Sequence, residues 1–468
     1  MNLFSKVLHK AGERPLFSLI AASMGLANTL LGLGNTAYGS TGSVDTGDTA
    51  WVMASTALVL LMTPGLALFY GGMVRTKSAL STMYQSYLAI GVVGLIWALC
   101  GYSLAFAPGM IPGFLGGFDY FNMNGVGQTA KEGLTIPHVA FMLFQGMFAV
   151  ITPALITGAF AERVRIKGWI PMMAAWSLFI YAPVCHWVWG PSGWIAGLGG
   201  LDFAGGLVVH MTAGFSALAA TFAISQRRDF GTSARTYSPG LILLGAGMLL
   251  FGWFGFNGGS ALAANGLAGH AMATSFFGAA AAFIGWSLVD NLRTGKLSPT
   301  GSAIGLVVGL VIVTPAAGFV TISSAILMGF VGSIICNYVA AAVKSALKRD
   351  DSLDVFACHG VGGFLGVIGT GLFASKSVNP AGADGLFAGN SGLLIANLQG
   401  AVAVAAISFV GTFVIIKAVN AVFQVRATDN EETTGLDYTQ HDELVTSEVV
   451  TFGNPSNSEN VKELRRAS

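Results

Sequence analysis

Charge is what this chain has least of. Asp, Glu, Lys and Arg make up 10% of its 468 residues, where soluble domains carry about 25%. So little charge excludes an ordinary soluble domain. The net charge of +1 also leaves no basic footprint for nucleic acid. Cysteine is scarce too. The four present, Cys100, Cys185, Cys336 and Cys358, fall inside apolar segments and show neither a disulfide framework nor metal-ligand spacing. They read as small apolar packing residues, and no metal, cofactor or catalytic constellation is expected.

What the chain does have is hydrophobic length. Apolar residues are 53% of it, in runs that reach the roughly 20 residues a membrane helix needs. The fold class is therefore an all-α polytopic membrane protein. Glycine is abundant, 64 residues, about twice the average usage. In a bilayer, small residues let helices approach closely. Two histidines stand inside such runs: His210 in LDFAGGLVVHMTAGFSALAA and His359 in SLDVFACHGVGGFLGVIGTG. Neither run contains a lysine or arginine. A charged group at that depth costs about 2.5–3.5 kcal/mol on insertion scales, and histidine lowers the cost by staying neutral. Such a residue is either a core group bonded to a neighbouring helix or part of a path for an ion, a proton or a polar solute. Two in like settings, 149 residues apart, favour the path.

Residues 1–40 read as a signal peptide. Lys6, His9, Lys10 and Arg14 form a basic start, and PLFSLIAASMGLANTLLGLG an apolar stretch before small and polar residues. A membrane domain follows over 48–426, with eleven transmembrane segments expected: helices 1–5 at 50–225, helices 6–10 at 239–374 and helix 11 at 396–423. Basic residues cluster in alternate connections. Arg75, Lys77, Arg163, Arg165, Lys167, Arg227, Arg228, Arg235, Arg293, Lys296, Lys344, Lys348, Arg349 and Arg426 share one side, against Lys131 and Lys376 on the other. The positive-inside rule makes the rich side cytoplasmic. The mature N-terminus is then outside and the C-terminus inside. The tail, 427–468, is polar and ends in SENVKELRRAS, which looks like a helix start.

An internal repeat is also expected. His210 lies in the fifth segment and His359 in the tenth, each after an aspartate at the segment start, Asp202 or Asp354. A unit of five spans must invert in its second copy, which predicts inverted five-helix repeats around a central pore and brings the two histidines together near the midplane. Asp202 and Asp354 read as helix caps. His138 and His186 read as interfacial, Glu162 with Arg163 and Arg165 as a cytoplasmic turn, and Asp290 as an interface residue.

Several segments together resemble the ammonium transporter (Amt/Rh) family, on its Amt branch. They are DTAWVMASTALVLLMTPGLALFYGGMVR, GAFAERVRIKGW, LDFAGGLVVH, GWFGFNGGS, DVFACHGVGG and GLDYTQH, in family order from Asp48 to His441. The resemblance implies an ammonium channel or transporter of the cell membrane, a homotrimer, rather than an enzyme. It implies an ammonium recruitment site at Phe148, Trp189 and Ser260, where aromatic faces attract a cation. It implies a gate of stacked rings at Phe148 and Phe256, a pore wall at Trp253, paired pore histidines at His210 and His359, and a structural and electrostatic role for Asp202. Trp189 also suits an interfacial aromatic belt. A PII-type regulatory protein is the implied cytoplasmic partner. One departure stands out: the family tail commonly reads H-G-E, and here it is His441-Asp442-Glu443. Aspartate resists backbone angles that glycine allows, which puts docking of the tail in question. Two other functions compete. An ammonium sensor would signal through a C-terminal region, and a bis-histidine haem protein would need its rings a haem width apart.

Overall fold

A computed structural model describes residues 42–232 and 236–445. The expected signal peptide and the SENVKELRRAS end lie outside the described residues. The rest is helical, as lipid demands: with no water to satisfy backbone N–H and C=O groups, each segment must bond within itself.

Ten helices are long and apolar enough to cross a membrane: α1 Thr46–Met73, α2 Thr76–Phe106, α3 His138–Phe160, α4 Ile166–Gly197, α5 Gly206–Ala223, α6 Pro239–Gly258, α7 Gly266–Thr294, α9 Ile322–Ser345, α10 Phe356–Phe373 and α11 Ser391–Val422. Between α7 and α9 lies α8, Pro299–Val313, apolar but only 15 residues. The apolar run in the sequence extends beyond it, to residue 317. Thr314 keeps helical angles (φ −48°, ψ −51°) and still bonds back to Leu310, but Pro315 after it has no N–H to donate, and the ladder stops there. Residues 314–320 continue as buried turns. Starts follow local chemistry. Ser238 and Ser298 accept N–H bonds from Leu241 (3.3 Å) and Gly301 (3.0 Å), with Pro239 and Pro299 as first helical residues. The α2–α3 connection carries a small hairpin, β1 Gly109–Ile111 with β2 Leu115–Gly116. Two short helices, α12 Asp429–Thr434 and α13 Leu436–His441, form the tail.

Five spans contain a π-turn, and three of these turns hold candidate pore residues: Gly206–Met211 with His210, Phe254–Gly258 with Phe256, and Phe356–Val361 with His359. Such turns are found often at functional sites because they re-aim side chains within a helix.

The crossing of α5 and α10 places both histidines. A Cβ on Gly214 would lie 1.9 Å from the Gly360 backbone nitrogen, and one on Gly363 would lie 3.0 Å from both the Gly206 oxygen and the His210 Cβ. Each glycine stands four residues after its own helix's histidine and rests on the other helix beside the other histidine. As position rises along α5 it falls along α10, so the pair crosses antiparallel with a matched offset. Only hydrogen fits at Gly214, and that close approach is what brings the two imidazoles within bonding distance.

Carboxylates hold the starts of these two helices. Asp202 accepts four backbone N–H bonds, from Gly205 (2.8 Å), Gly206 (2.6 Å), Leu207 (2.7 Å) and Val208 (3.2 Å). At α10 the capping residue is Asp351, not Asp354: it accepts from Val355 (3.0 Å) and Phe356 (2.7 Å). Asp354 takes a left-handed backbone, φ 60°, and its carboxylate pairs with Lys344 at 2.7 Å. Each histidine thus follows, by eight residues, an aspartate that accepts N–H bonds at the start of its helix, Asp202 before His210 and Asp351 before His359.

Candidate functional site

The site is a column of rings running inward from the face that carries Trp189. Trp189 is fixed by its indole N–H, which donates to the Asp202 carbonyl at 2.9 Å. Phe148, from α3, meets Trp189 edge-on, with centroids 5.9 Å apart at 89°. Beneath it Phe256 packs at 4.4 Å from Phe148. Ser260 lies in the turn just after α6, half-buried, with its hydroxyl donating to the Phe256 carbonyl at 2.7 Å. Phe148 and Phe256 are each 1% exposed, so both rings are buried against one another.

Below the rings His210 stacks against both Phe256 (5.9 Å, 19°) and Trp253 (5.5 Å, 21°). Trp253 is anchored from its edge, where Nε1–H donates to Thr314 Oγ1 at 2.9 Å. The buried turn after α8 thus holds the pore-wall indole in place. His210 and His359 face one another with centroids 5.3 Å apart, and their Nδ1 atoms are 3.3 Å apart. A neutral imidazole carries one N–H and one lone pair. An Nδ1···Nδ1 bond therefore requires opposite tautomers: one ring is Nδ1–H and leaves Nε2 as an acceptor, and the other leaves Nε2–H as a donor. His210 Nε2 has no hydrogen-bond partner among the described residues. Rings this close leave no room for a haem between them.

Both histidines line a narrow cavity whose other walls are apolar, including Met62, Leu66, Ile151, Leu155, Val209 and Val307. The centre of a water-sized sphere can range over about 20 Å³ of it, enough for one small molecule. The path is thus apolar except for two imidazoles and the Tyr70 hydroxyl, which donates to the Leu155 carbonyl at 3.0 Å.

The structure brings Phe148, Trp189, Trp253, Phe256, His210 and His359 into one ring-to-ring chain, with Asp202 and Ser260 attached through the backbone. Sequence reading missed the aliphatic wall and Asp351. The wall was illegible because these helices are apolar all round and show no stripe to pick out. Asp351 did carry a signal, the repeated eight-residue spacing to a histidine. His138 and His186, read as interfacial, are instead buried and bonded. His138 Nε2 meets the Tyr102 hydroxyl at 2.5 Å and His186 Nδ1 donates to the Ala105 carbonyl at 2.9 Å.

At the opposite, basic face, Glu162 is more than a turn residue. It is 2% exposed and bridges Arg75 (2.7 Å) and Arg227 (3.0 Å). Asp350 joins Arg227 (2.8 Å) to the fully buried Arg163 (3.2 Å). Burial pushes the Glu162 carboxyl up, but bonds and charge from Arg75, with Arg227, outweigh it and hold the group below its ordinary value. Asp350 is held low in the same way by Arg163 and Arg227. Burial, with the Asp354 charge beside it, pushes the Asp351 carboxyl up to about 6.

Fold and site together define a multi-pass membrane protein enclosing an apolar path. The model of the Ammonium Transporter Family matches residues 50–446. The chain is 46% identical over 398 residues to the ammonium transporter of Bacillus subtilis, a match covering 85% of this chain and 98% of that protein. It is 43% identical over 399 residues to ammonium transporter Amt1 of Archaeoglobus fulgidus, again covering 85% and 98%. Among solved structures it is similar to Candida albicans Mep2, with a TM-score of 0.79 and 38% identity over 83% of this chain and 88% of that one. The chain belongs to the ammonium transporter family.

Proposed function

We propose that the protein moves ammonium across the cell membrane by deprotonating it and conducting ammonia past the histidine pair. Ammonium is recruited at Phe148, Trp189 and Ser260, where aromatic faces attract the cation and the serine oxygen accepts an N–H. The sealed Phe148–Phe256 gate strips its water. An ion entering a cavity of aliphatic and aromatic walls would keep the full penalty of an unpaired charge, so an N–H bond breaks at the gate: the electron pair stays on nitrogen, and the proton passes to water outside the gate or, where transport carries charge, to the histidine pair and along its Nδ1···Nδ1 bond. Ammonia then meets one Nε2 acceptor and one Nε2–H donor, matching its own N–H and lone pair. The carrying observation is the buried Nδ1···Nδ1 contact of 3.3 Å between His210 and His359 in an otherwise apolar cavity.

Several further features belong to this reading. The Asp202–His210 and Asp351–His359 correspondence and the antiparallel crossing support inverted five-helix repeats, with α8 as the eighth of eleven spans. The basic face is cytoplasmic by the positive-inside rule, with the N-terminus outside after removal of residues 1–40. The working unit is a homotrimer, and the docked tail offers a PII-type protein a cytoplasmic platform. Transport is preferred over sensing because the curated relatives matched over nearly their whole length carry the name of transporters.

The test is methylammonium uptake, and ammonium-evoked current, in a transport-null cell, for the wild type beside His210→Ala and His359→Ala. Uptake is expected for the wild type, with a loss of at least about tenfold in each variant, the equivalent of one lost hydrogen bond at the barrier. Uptake without current identifies ammonia alone as the species crossing, and uptake with current identifies ammonia plus its proton. Absence of wild-type uptake from membrane-inserted protein would overturn the proposal.

A further inference from the structure

Several cations of the described residues take part in no ion pair, and two of them converge on the end of α5. Arg349, in the loop after α9, holds its guanidinium 3.8 Å over the Phe222 ring. Lys417 is the single charged side chain of α11. It lies 5.3 Å over Phe413 and donates to the Ala223 carbonyl at 3.2 Å. Phe222 packs in turn on Phe409 of α11, centroids 5.7 Å apart. The two cations therefore meet on consecutive residues of the last turn of α5, at the basic face. Neither takes part in an ion pair among the described residues. Asp350, next to Arg349 in the chain, turns inward to Arg163 and Arg227. Arg426 reaches the same stretch, at Ser225 and Gln226, but Glu432 neutralises it.

The surface next to these cations is apolar and uncovered. Phe222 is 43% exposed, Val410 60% and Val414 58%. Val410, Phe413, Val414 and Lys417 are spaced i, i+3, i+4, i+7 and so share one face of α11, the least buried of the ten long helices. An apolar stripe ending in unpaired cations at a membrane surface has the chemistry of a phospholipid reversed: chains against the stripe, phosphate against the cations.

We propose that this face binds one anionic phospholipid of the leaflet at the basic face, its phosphodiester held between Arg349 and Lys417 and its acyl chains lying along Val410, Phe413 and Val414. The planar guanidinium, fixed by stacking on Phe222, offers paired donors to phosphate oxygens. Lys417 extends along α11 to bring its ammonium to headgroup level. The cytoplasmic leaflet is the anionic one, which agrees with the charge pattern that sets the topology. This site stands apart from the pore, and its failure would leave the transport proposal intact.

The experiment is native mass spectrometry of the full-length protein in detergent, titrated with phosphatidylglycerol and with phosphatidylcholine of the same chains. The wild type is expected to bind phosphatidylglycerol more tightly. Arg349→Gln and Lys417→Gln should each weaken that binding about fivefold, the worth of one cation at an anionic surface. The double variant should lose one phosphatidylglycerol per chain, with phosphatidylcholine binding and melting temperature unchanged. A control pair on the same face, Lys167→Gln with Lys296→Gln, should leave the count intact. The proposal is overturned if the double variant binds like the wild type, or if the control pair loses as much lipid, which would make the effect one of general surface charge. It is also overturned if the double variant lowers the mass of the assembly instead of its lipid count, since the face would then be a contact between copies of this chain.

Discussion

Single residues set the chemistry of the buried ring column, and their positions depend on carboxylates that do not line its cavity. Asp202 accepts four N–H bonds at the start of α5. That fixes the π-turn carrying His210 and, through the Asp202 carbonyl, the Trp189 indole. Asparagine there would keep one oxygen for Gly205 and Gly206 and turn an NH₂ toward the N–H groups of Leu207 and Val208. Unmet buried donors cost about 1–3 kcal/mol, so Asp202→Asn should lower the melting temperature in detergent and slow methylammonium uptake together. Melting and uptake that both match the wild type would show that the carboxylate is dispensable. The two histidines of the ring column were legible in the chain because each stands alone in a long apolar run, whereas Phe148, Trp189, Trp253 and Phe256 were picked out only by resemblance to the family. The Trp253–Thr314 bond and the roles of Asp351 and Asp354 were not legible. They depend on which carboxylate the backbone turns toward the N-terminus of α10, and the left-handed angle at Asp354 leaves no trace in hydropathy.

Among the elements, the α5–α10 crossing carries the most consequence. Gly214 and Gly363 replace side chains with backbone contact, and in lipid such close approach is itself the source of association. A methyl group at Gly214 would meet the Gly360 nitrogen at 1.9 Å and its Cα at 2.2 Å, atoms that cannot swing aside. Overpacking of this kind costs about 1–3 kcal/mol or more. Gly214→Ala should therefore separate the helices, lengthen the Nδ1···Nδ1 contact and reduce both thermal stability and uptake. Gly91→Ala, in the open space around α2, should do neither. If the two variants behaved alike, the crossing would not be the constraint argued here. The order and approximate limits of the ten long helices were readable from apolar length alone. α8 shows where that signal fails: the run stays largely apolar through residue 317 while the hydrogen-bond ladder ends after Thr314, at Pro315, because hydropathy counts side chains and is blind to a missing N–H.

Over the whole molecule, the basic face is a lattice that ties distant loops and the tail into one unit. Glu162 links the α1–α2 turn to the α5–α6 loop through Arg75 and Arg227, and Asp350 links the latter to the α9–α10 loop. The tail joins in through Glu431 on Arg165 (2.7 Å), Glu432 on Arg426 (2.8 Å), and Asp437, whose carboxylate accepts from Leu80 (3.0 Å) and Ser81 (2.7 Å) at the start of α2. Asp442 takes the left-handed angles, φ 57° and ψ 30°, that a glycine would have taken there, so the tail is docked despite the His441-Asp442-Glu443 departure. The carboxyls of Glu162 and Asp350 lie below their ordinary values of 4.5 and 3.8. The folded protein thus binds fewer protons than the unfolded chain as the medium turns acidic. The stability they contribute is present above about pH 4.5 and is lost as the pH falls through the depressed values. Glu162→Gln removes one of the two groups and the bridge between Arg75 and Arg227, leaving Arg75 to Asp229 and Arg227 to Asp350. Removing one partner of a buried pair costs about 3–5 kcal/mol; the arginines keep 20% and 19% of their surface in water, which favours the lower end. The variant should melt earlier at pH 7 and lose less on going from pH 5 to pH 3 than the wild type, because part of the acid-sensitive contribution is already gone. Parallel melting-temperature curves for the two proteins over that interval would mean that the lattice is not what acid dissolves.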